Sequence, residues 1–215
     1  MERFESYSRI TGDDRFRWIA EANLQLFDSL NPKVMELRGK ISEVLSSCDD
    51  PHNPPDKYHD LSIELHPIEE ERDQACIVSV VFTAMYFEAF IYDYAASCLG
   101  DNYANDHLDK LDFISKWLVI PRLITGKELS KEGQAYQCLK RLHKDRNSLV
   151  HLKSRELVFN NDQMVKYLQD REIDIQESVG NCRSALKHVI SELLVIDPDH
   201  PKVQLSNESH NNRIN

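Results

Sequence analysis

Apolar residues recur every three or four positions over most of this chain, a spacing typical of amphipathic helices. The first run follows Asp13 and Asp14, which can cap a helix, and it predicts a helix through Leu30. A second helix is predicted from Pro32, a residue tolerated in a first turn, to about Ser47. The apolar positions of the two helices are Trp18, Ala22, Leu26, Leu30, Val34, Leu37, Ile41, Val44 and Leu45.

Residues 48–67 interrupt this pattern. They contain four prolines together with several Asp and Asn residues, a composition that predicts a loop or linker. Apolar and polar residues alternate over residues 61–65, which indicates a short extended piece within that loop.

The longest predicted helix begins with the acidic residues 69–73 and ends at Gly100. Its centre is apolar on nearly all sides, as expected for the central helix of a bundle. Shorter helices are predicted at about residues 104–117, stopping near Pro121 and Gly126, and from Ser130 as cap to about residue 154. A polar, hairpin-like region (156–170) then leads to a final amphipathic helix, about residues 174–196, which Asp197-Pro198 closes.

These elements predict an all-α fold, an antiparallel helical bundle with an N-terminal helical extension. We divide the chain into the extension and its proline-rich linker (1–60), the bundle (61–200) and a polar tail (201–215) expected to be disordered.

Composition narrows the classes of function. The 215 residues are 41% hydrophobic and 29% charged, with a net charge of -10, which disfavours a general DNA coater or a membrane-surface binder. The five cysteines are scattered without a CxxC pair, so we expect no zinc site and no metal or other cofactor. Their odd number and the absence of an apolar leader predict a cytoplasmic protein without membrane contact. GxSxG, Walker, dinucleotide-binding and HExxH motifs are absent from the sequence.

One basic segment stands out in this acidic chain. Residues 140–155 read KRLHKDRNSLVHLKSR and carry six Lys or Arg against one acid, a local charge of +5. The remainder of the chain therefore carries -15. Such a basic island is where a phosphate-bearing ligand is expected to bind.

Helical spacing divides this segment into two faces. His143, Asn147 and His151 follow one another at four-residue intervals and share a polar face. Arg146 instead lies beside the apolar positions, where a guanidinium is costly to bury unless it is paired or placed at an interface. Ordinary solvation of Arg146 remains an equal alternative. The apolar positions are Leu139, Leu142, Leu149 and Val150.

The motif Arg146-Asn147-Ser148-Leu149-Val150-His151 resembles the signature of the HEPN family, in which Arg and a polar residue precede a His. The apolar helix with Tyr86-Phe87-Glu88-Ala89-Phe90, the segment 111–117 and the late Arg-Asn helix follow the order of HEPN bundles. The resemblance covers residues 69–196. It implies a HEPN-like bundle and a metal-independent endoribonuclease that cleaves RNA at a composite homodimer interface. Toxin or antiviral-defence roles, and an antitoxin or regulatory protein as partner, are further implications of the resemblance.

The residue types suit RNA cleavage. The imidazole of His151 can transfer a proton, and the planar fork of Arg146 matches phosphate oxygens. Asn147 completes the catalytic set by orienting either the phosphate or a histidine.

The sequence leaves two interpretations open for each of the supporting residues. The helical neighbours of Glu88 are apolar, which predicts a buried carboxylate paired with Arg146; a partly exposed acid at the bundle edge is the alternative. His143 is assigned either to the same groove or to the solvated surface. Four basic side chains are expected to contact the RNA backbone, and the alternative is that they form an ordinary solvated surface. These residues are Lys140, Lys144, Lys153 and Arg155.

Two non-enzymatic functions compete with cleavage. A HEPN module that binds RNA or regulates a partner would keep the fold without turnover. A helical dimerisation scaffold would use Arg146 as an interface residue only. The intact set of Arg146, Asn147 and His151 favours the enzyme.

Overall fold

The computed structural model describes residues 12–48, 54–150 and 161–214, with side chains described to residue 149 and from 166 to 207. Within these ranges the fold is all-α, as predicted, and contains no strand. The helices are α1 (Asp13–Ser46), α2 (Asp56–Leu99), α3 (Asp101–Tyr103), α4 (Phe113–Thr125), α5 (Gln134–Val150), α6 (Asn161–Ile196) and α7 (Pro201–Ile214). A π-helical turn, Ala104–Leu108, extends α3.

Helices α1 and α2 form a long antiparallel hairpin, and each continues through a proline. Pro32 lies inside α1, so the predicted break between two helices is wrong. Pro67 lies inside α2, so residues 56–67 are helical and the predicted loop and extended piece are wrong there. An internal proline costs a helix about 3 kcal/mol. Packing across the hairpin offsets this cost, because Val34 and Leu37 of α1 and Leu65 of α2 form a small buried cluster.

The hairpin joins the main core directly. Leu24 and Phe27 of α1 are buried with residues of α2, α4, α5 and α6 in one hydrophobic cluster. The boundary drawn at residue 60 therefore falls within α2 and separates elements that share a core. The first helix is part of the bundle rather than an appendage to it.

Helix α2 is the central helix, as predicted, and ends where Gly100 adopts a positive φ of 88°. By length and apolar composition α2 could cross a membrane, but 56% of that apolar segment is buried inside the bundle. This burial is typical of the core helix of a soluble protein. Aromatic side chains of α2 surround Trp117 of α4: its ring stacks on Phe90 and meets Phe87 edge-on.

Helix α4 begins later than predicted. Asp112 caps it by accepting hydrogen bonds from the backbone N–H groups of Ile114 and Ser115, and Gly126 ends it at a φ of 75°. Pro121 again lies inside the helix rather than after it. The predicted helix at 104–117 therefore spans a π-helical turn, a short turn and the start of α4.

The C-terminal part of the chain is more helical than predicted. Residues 161–170, assigned to a polar hairpin-like region, belong to α6, which ends before Asp197 as expected. Residues 201–214 form α7, so the prediction of a disordered tail is wrong there. Val203 of α7 is fully buried, and Arg17 of α1 donates to the carbonyl oxygen of Ser206 at 3.1 Å. Only Val203 and Ser206 are buried among residues 201–207, and two such positions in a polar sequence do not predict a packed helix.

Three helices meet around the fully buried Arg72 of α2. Its guanidinium donates to Asp73 at 2.8 and 3.0 Å, to Glu172 of α6 at 3.0 Å and to Asn31 of α1 at 3.3 Å. Arg38 of α1 also binds Glu172 at 2.6 Å. This charge cluster fixes α6 against the hairpin at Glu172, within the mostly exposed residues 166–177.

Candidate functional site

Helix α5 carries most of the described candidate residues and is anchored on its apolar side. Ala135, Cys138, Leu139 and Leu142 are buried in the main core, and Leu149 packs against it. The opposite side of the helix is open to solvent. This amphipathic placement is the one that the sequence predicts for the basic segment.

Arg146 is half-buried and lies on the same face of α5 as the buried Leu139 and Leu142. This confirms its predicted position beside apolar residues. Its Nη1 donates to the side-chain oxygen of Asn147 at 3.1 Å. Over the described residues, no carboxylate forms an ion pair with Arg146, so its charge is not neutralised by them.

Asn147 links Arg146 to His143. The amide nitrogen of Asn147 lies 3.0 Å from Nε2 of His143, one turn earlier, which confirms the predicted neighbours on this face. The imidazole of His143 stacks on Phe113 of α4, with ring centroids 5.5 Å apart and planes within 7°. His143 is therefore not a freely solvated surface histidine, and it belongs to the same group as Asn147 and Arg146.

The single acid of the basic segment turns away from this group. Asp145 accepts a hydrogen bond from Asn181 of α6 at 2.8 Å. Burial raises the pKa of Asp145, although the bond from Asn181 and the charge of Lys144 act in the opposite direction. The exposed side of α5 consequently presents only positive charge, from Lys140, Arg141 and Lys144.

These cations remain available to a ligand. In the ranges that the structure covers, none of Lys140, Arg141 and Lys144 forms an ion pair; Lys140 lies 5.8 Å from the centre of the Tyr136 ring. Together with Arg146 they give α5 a local positive potential on an otherwise acidic protein. Such a surface attracts phosphate groups.

Glu88 does not pair with Arg146, so the predicted contact is wrong. Its carboxylate is 49% exposed and lies 3.3 Å from the amine of Lys116, which also binds Asp109 at 2.8 Å. Glu88 thus matches the alternative, an acid at the edge of the bundle. Lys116 is nearly buried and takes the role of the basic partner that sequence reasoning gave to Arg146.

Three candidate residues, His151, Lys153 and Arg155, lie outside the described residues. The described candidate residues on α5 are therefore Arg146, Asn147 and His143 together with Lys140 and Lys144.

Sequence reasoning missed the residues that support this group from other helices. Phe113 and Asn181 come from α4 and α6, and neither has a chemistry that marks a site. The one feature of the sequence that pointed to such support was Asp145, because an acid in a basic segment needs a polar partner. Its partner could not be identified without the packing of α5 on α6.

Comparisons with protein-family models, with curated proteins and with solved structures find no match to this chain. The resemblance to HEPN proteins consequently rests on the motif and on the order of the helices.

Proposed function

We propose that this protein is an endoribonuclease that cleaves RNA without a metal ion, with Arg146, Asn147 and His151 as its catalytic residues. The observation that carries the proposal is the arrangement on α5. A half-buried arginine without an ion-pair partner among the described residues is held by an asparagine, on a helix whose exposed charges are all positive.

The chemistry requires only side chains. The 2′-hydroxyl of RNA attacks the adjacent phosphorus, a new P–O2′ bond forms and the P–O5′ bond breaks. His151 takes the proton of the 2′-hydroxyl and delivers it to the departing 5′-oxygen, so that the step neither gains nor loses a proton. The guanidinium of Arg146 donates two parallel hydrogen bonds to phosphate oxygens as their charge increases. The products are a 2′,3′-cyclic phosphate and a 5′-hydroxyl.

Lys140 and Lys144 bind neighbouring phosphates in this proposal, with Lys153 and Arg155 continuing the contact along the backbone. These contacts carry no information on base sequence and make binding sensitive to salt. A homodimer that brings two copies of the motif together forms part of the same proposal and follows from the HEPN resemblance.

The test is cleavage of a cellular RNA pool by the purified protein in EDTA. The wild type is expected to cut, whereas Arg146→Ala and His151→Ala are expected to lose at least about a hundredfold in rate, the usual cost of removing a catalytic group. Arg141→Ala is the matched control, because it removes one positive charge from the same helix on a different face. It is expected to retain cleavage within a few fold.

Equal losses in Arg141→Ala and Arg146→Ala would show that α5 contributes charge only. A wild-type protein that binds RNA in a salt-dependent way and never cuts it would contradict the enzyme and favour the RNA-binding module.

A further inference from the structure

The hydrogen bonds of Arg146, Asn147 and His143 can be assigned a direction from chemistry alone. A guanidinium has five N–H donors and no acceptor. The atom of Asn147 that faces Arg146, at 3.1 Å, must therefore be its carbonyl oxygen. The amide NH₂ of Asn147 then faces Nε2 of His143, at 3.0 Å.

This direction fixes the proton on His143. Because the NH₂ group of Asn147 is a donor, Nε2 of His143 has to accept, so the ring is neutral and carries its proton on Nδ1. Free histidine in water prefers the opposite tautomer, with the proton on Nε2. The stacking of the ring on Phe113 holds the imidazole in the plane that the bond from Asn147 requires.

We propose that His143 is a positioning residue of the site: in its Nδ1–H form it accepts from Asn147, and Asn147 in turn holds the guanidinium of Arg146. This inference rests on the proposed function for its catalytic meaning, while the hydrogen-bond direction stands on geometry. Without an acceptor at position 143 the amide of Asn147 is free to rotate. Arg146 then loses the fixed oxygen that orients it toward a phosphate.

Two variants of His143 separate this role from simple packing. His143→Gln keeps an acceptor at similar reach and removes the ring, whereas His143→Phe keeps a ring to stack on Phe113 and removes the acceptor. The inference predicts RNA cleavage within about twofold of wild type for His143→Gln. It predicts a loss of about three- to tenfold for His143→Phe, the value of one hydrogen bond of this kind. Retention in the Phe variant with loss in the Gln variant would overturn it.

A spectroscopic measurement tests the tautomer without RNA. With ¹⁵N-labelled histidine, long-range ¹H–¹⁵N correlation spectra at pH 8 distinguish a protonated from an unprotonated ring nitrogen. His143→Gln identifies the resonances of His143 by their disappearance. The wild type is expected to show a protonated Nδ1. Asn147→Asp, whose carboxylate can only accept, is expected to move the proton to Nε2.

The two readouts separate the inference from the function. A wild type that already carries the proton on Nε2, or a spectrum that Asn147→Asp leaves unchanged, would overturn the inference even if RNA is cut. If the tautomer and its switch are observed and no RNA is cut, the hydrogen-bond array stands and the proposed function is wrong.

Discussion

Replacement of Arg72 by Met is expected to destabilise the protein strongly. Arg72 is fully buried, and its guanidinium bonds Asp73 within α2, Glu172 of α6 and Asn31 of α1. Methionine preserves much of the aliphatic volume. The substitution therefore removes the charge and its hydrogen bonds from the junction of three helices without opening a large cavity.

The expected loss in free energy of unfolding depends on which ion-pair partners Asp73 and Glu172 keep when Arg72 is replaced. Removal of one partner of a buried ion pair costs about 3–5 kcal/mol, because it leaves a charge uncompensated. Here Asp73 keeps Arg171 at 2.6 Å and Glu172 keeps Arg38 at 2.6 Å, so neither acid is left alone. We therefore expect the lower end of that range, about 3 kcal/mol in the free energy of unfolding.

Arg38→Met is the matched control. Arg38 also binds Glu172, together with Glu69, but its side chain is 29% exposed. Partly solvated pairs are worth about 1 kcal/mol or less.

Urea unfolding followed by circular dichroism at 222 nm measures both variants. With an m-value of about 3 kcal/mol/M, Arg72→Met should lower the midpoint by about 1 M and Arg38→Met by about a third of that. Equal shifts in the two variants, or a shift below about 0.3 M for Arg72→Met, would refute the assignment of a buried charge cluster.

Three further predictions concern stability. Asp145→Asn should raise the free energy of unfolding at pH 7, because burial raises the pKa of Asp145 and so penalises its charged form. This gain in stability should shrink as the pH falls and Asp145 becomes protonated in the wild type. A urea midpoint that is unchanged or lower at pH 7 would contradict the prediction. Burial alone would raise the pKa of Glu172, but hydrogen bonds from Gln176 and Arg72 lower it overall. Its stabilisation is therefore present above pH 4.5 and lost as the pH falls through the lowered value, so Glu172→Gln should be less acid-sensitive than wild type. Val203→Ala should cost about 2 kcal/mol in thermal or urea unfolding if α7 is packed as described, and less than about 0.3 kcal/mol if it is not.

The fold class and the central helix were predictable because they follow from local patterns. The helical spacing and the end of α2 at Gly100 each depend on residues that are only a few positions apart in the sequence. The continuation of α1 through Pro32 and of α2 through Pro67 was not predictable, because a proline usually marks the end of a helix. The contacts that override it, between Val34, Leu37 and Leu65, join positions about 30 residues apart.

The candidate site shows the same division. The one-turn relation of His143 and Asn147 and the position of Arg146 beside the apolar face follow from helical geometry, and the structure confirms both. The predicted Glu88–Arg146 pair required knowledge of how α2 faces α5. Lys116 of α4 was the nearer cation, and no local pattern places it there.

The most direct measurement of the central claim uses two short RNA strands incubated with the purified protein in EDTA, one of them with a single 2′-deoxy nucleotide at the cleaved position. We predict that the all-RNA strand is cut to a 2′,3′-cyclic phosphate and a 5′-hydroxyl, that the substituted strand stays intact at that position, and that Arg146→Ala cuts neither. Cleavage of the 2′-deoxy strand at the same position, or equal cleavage by Arg146→Ala, would contradict the mechanism.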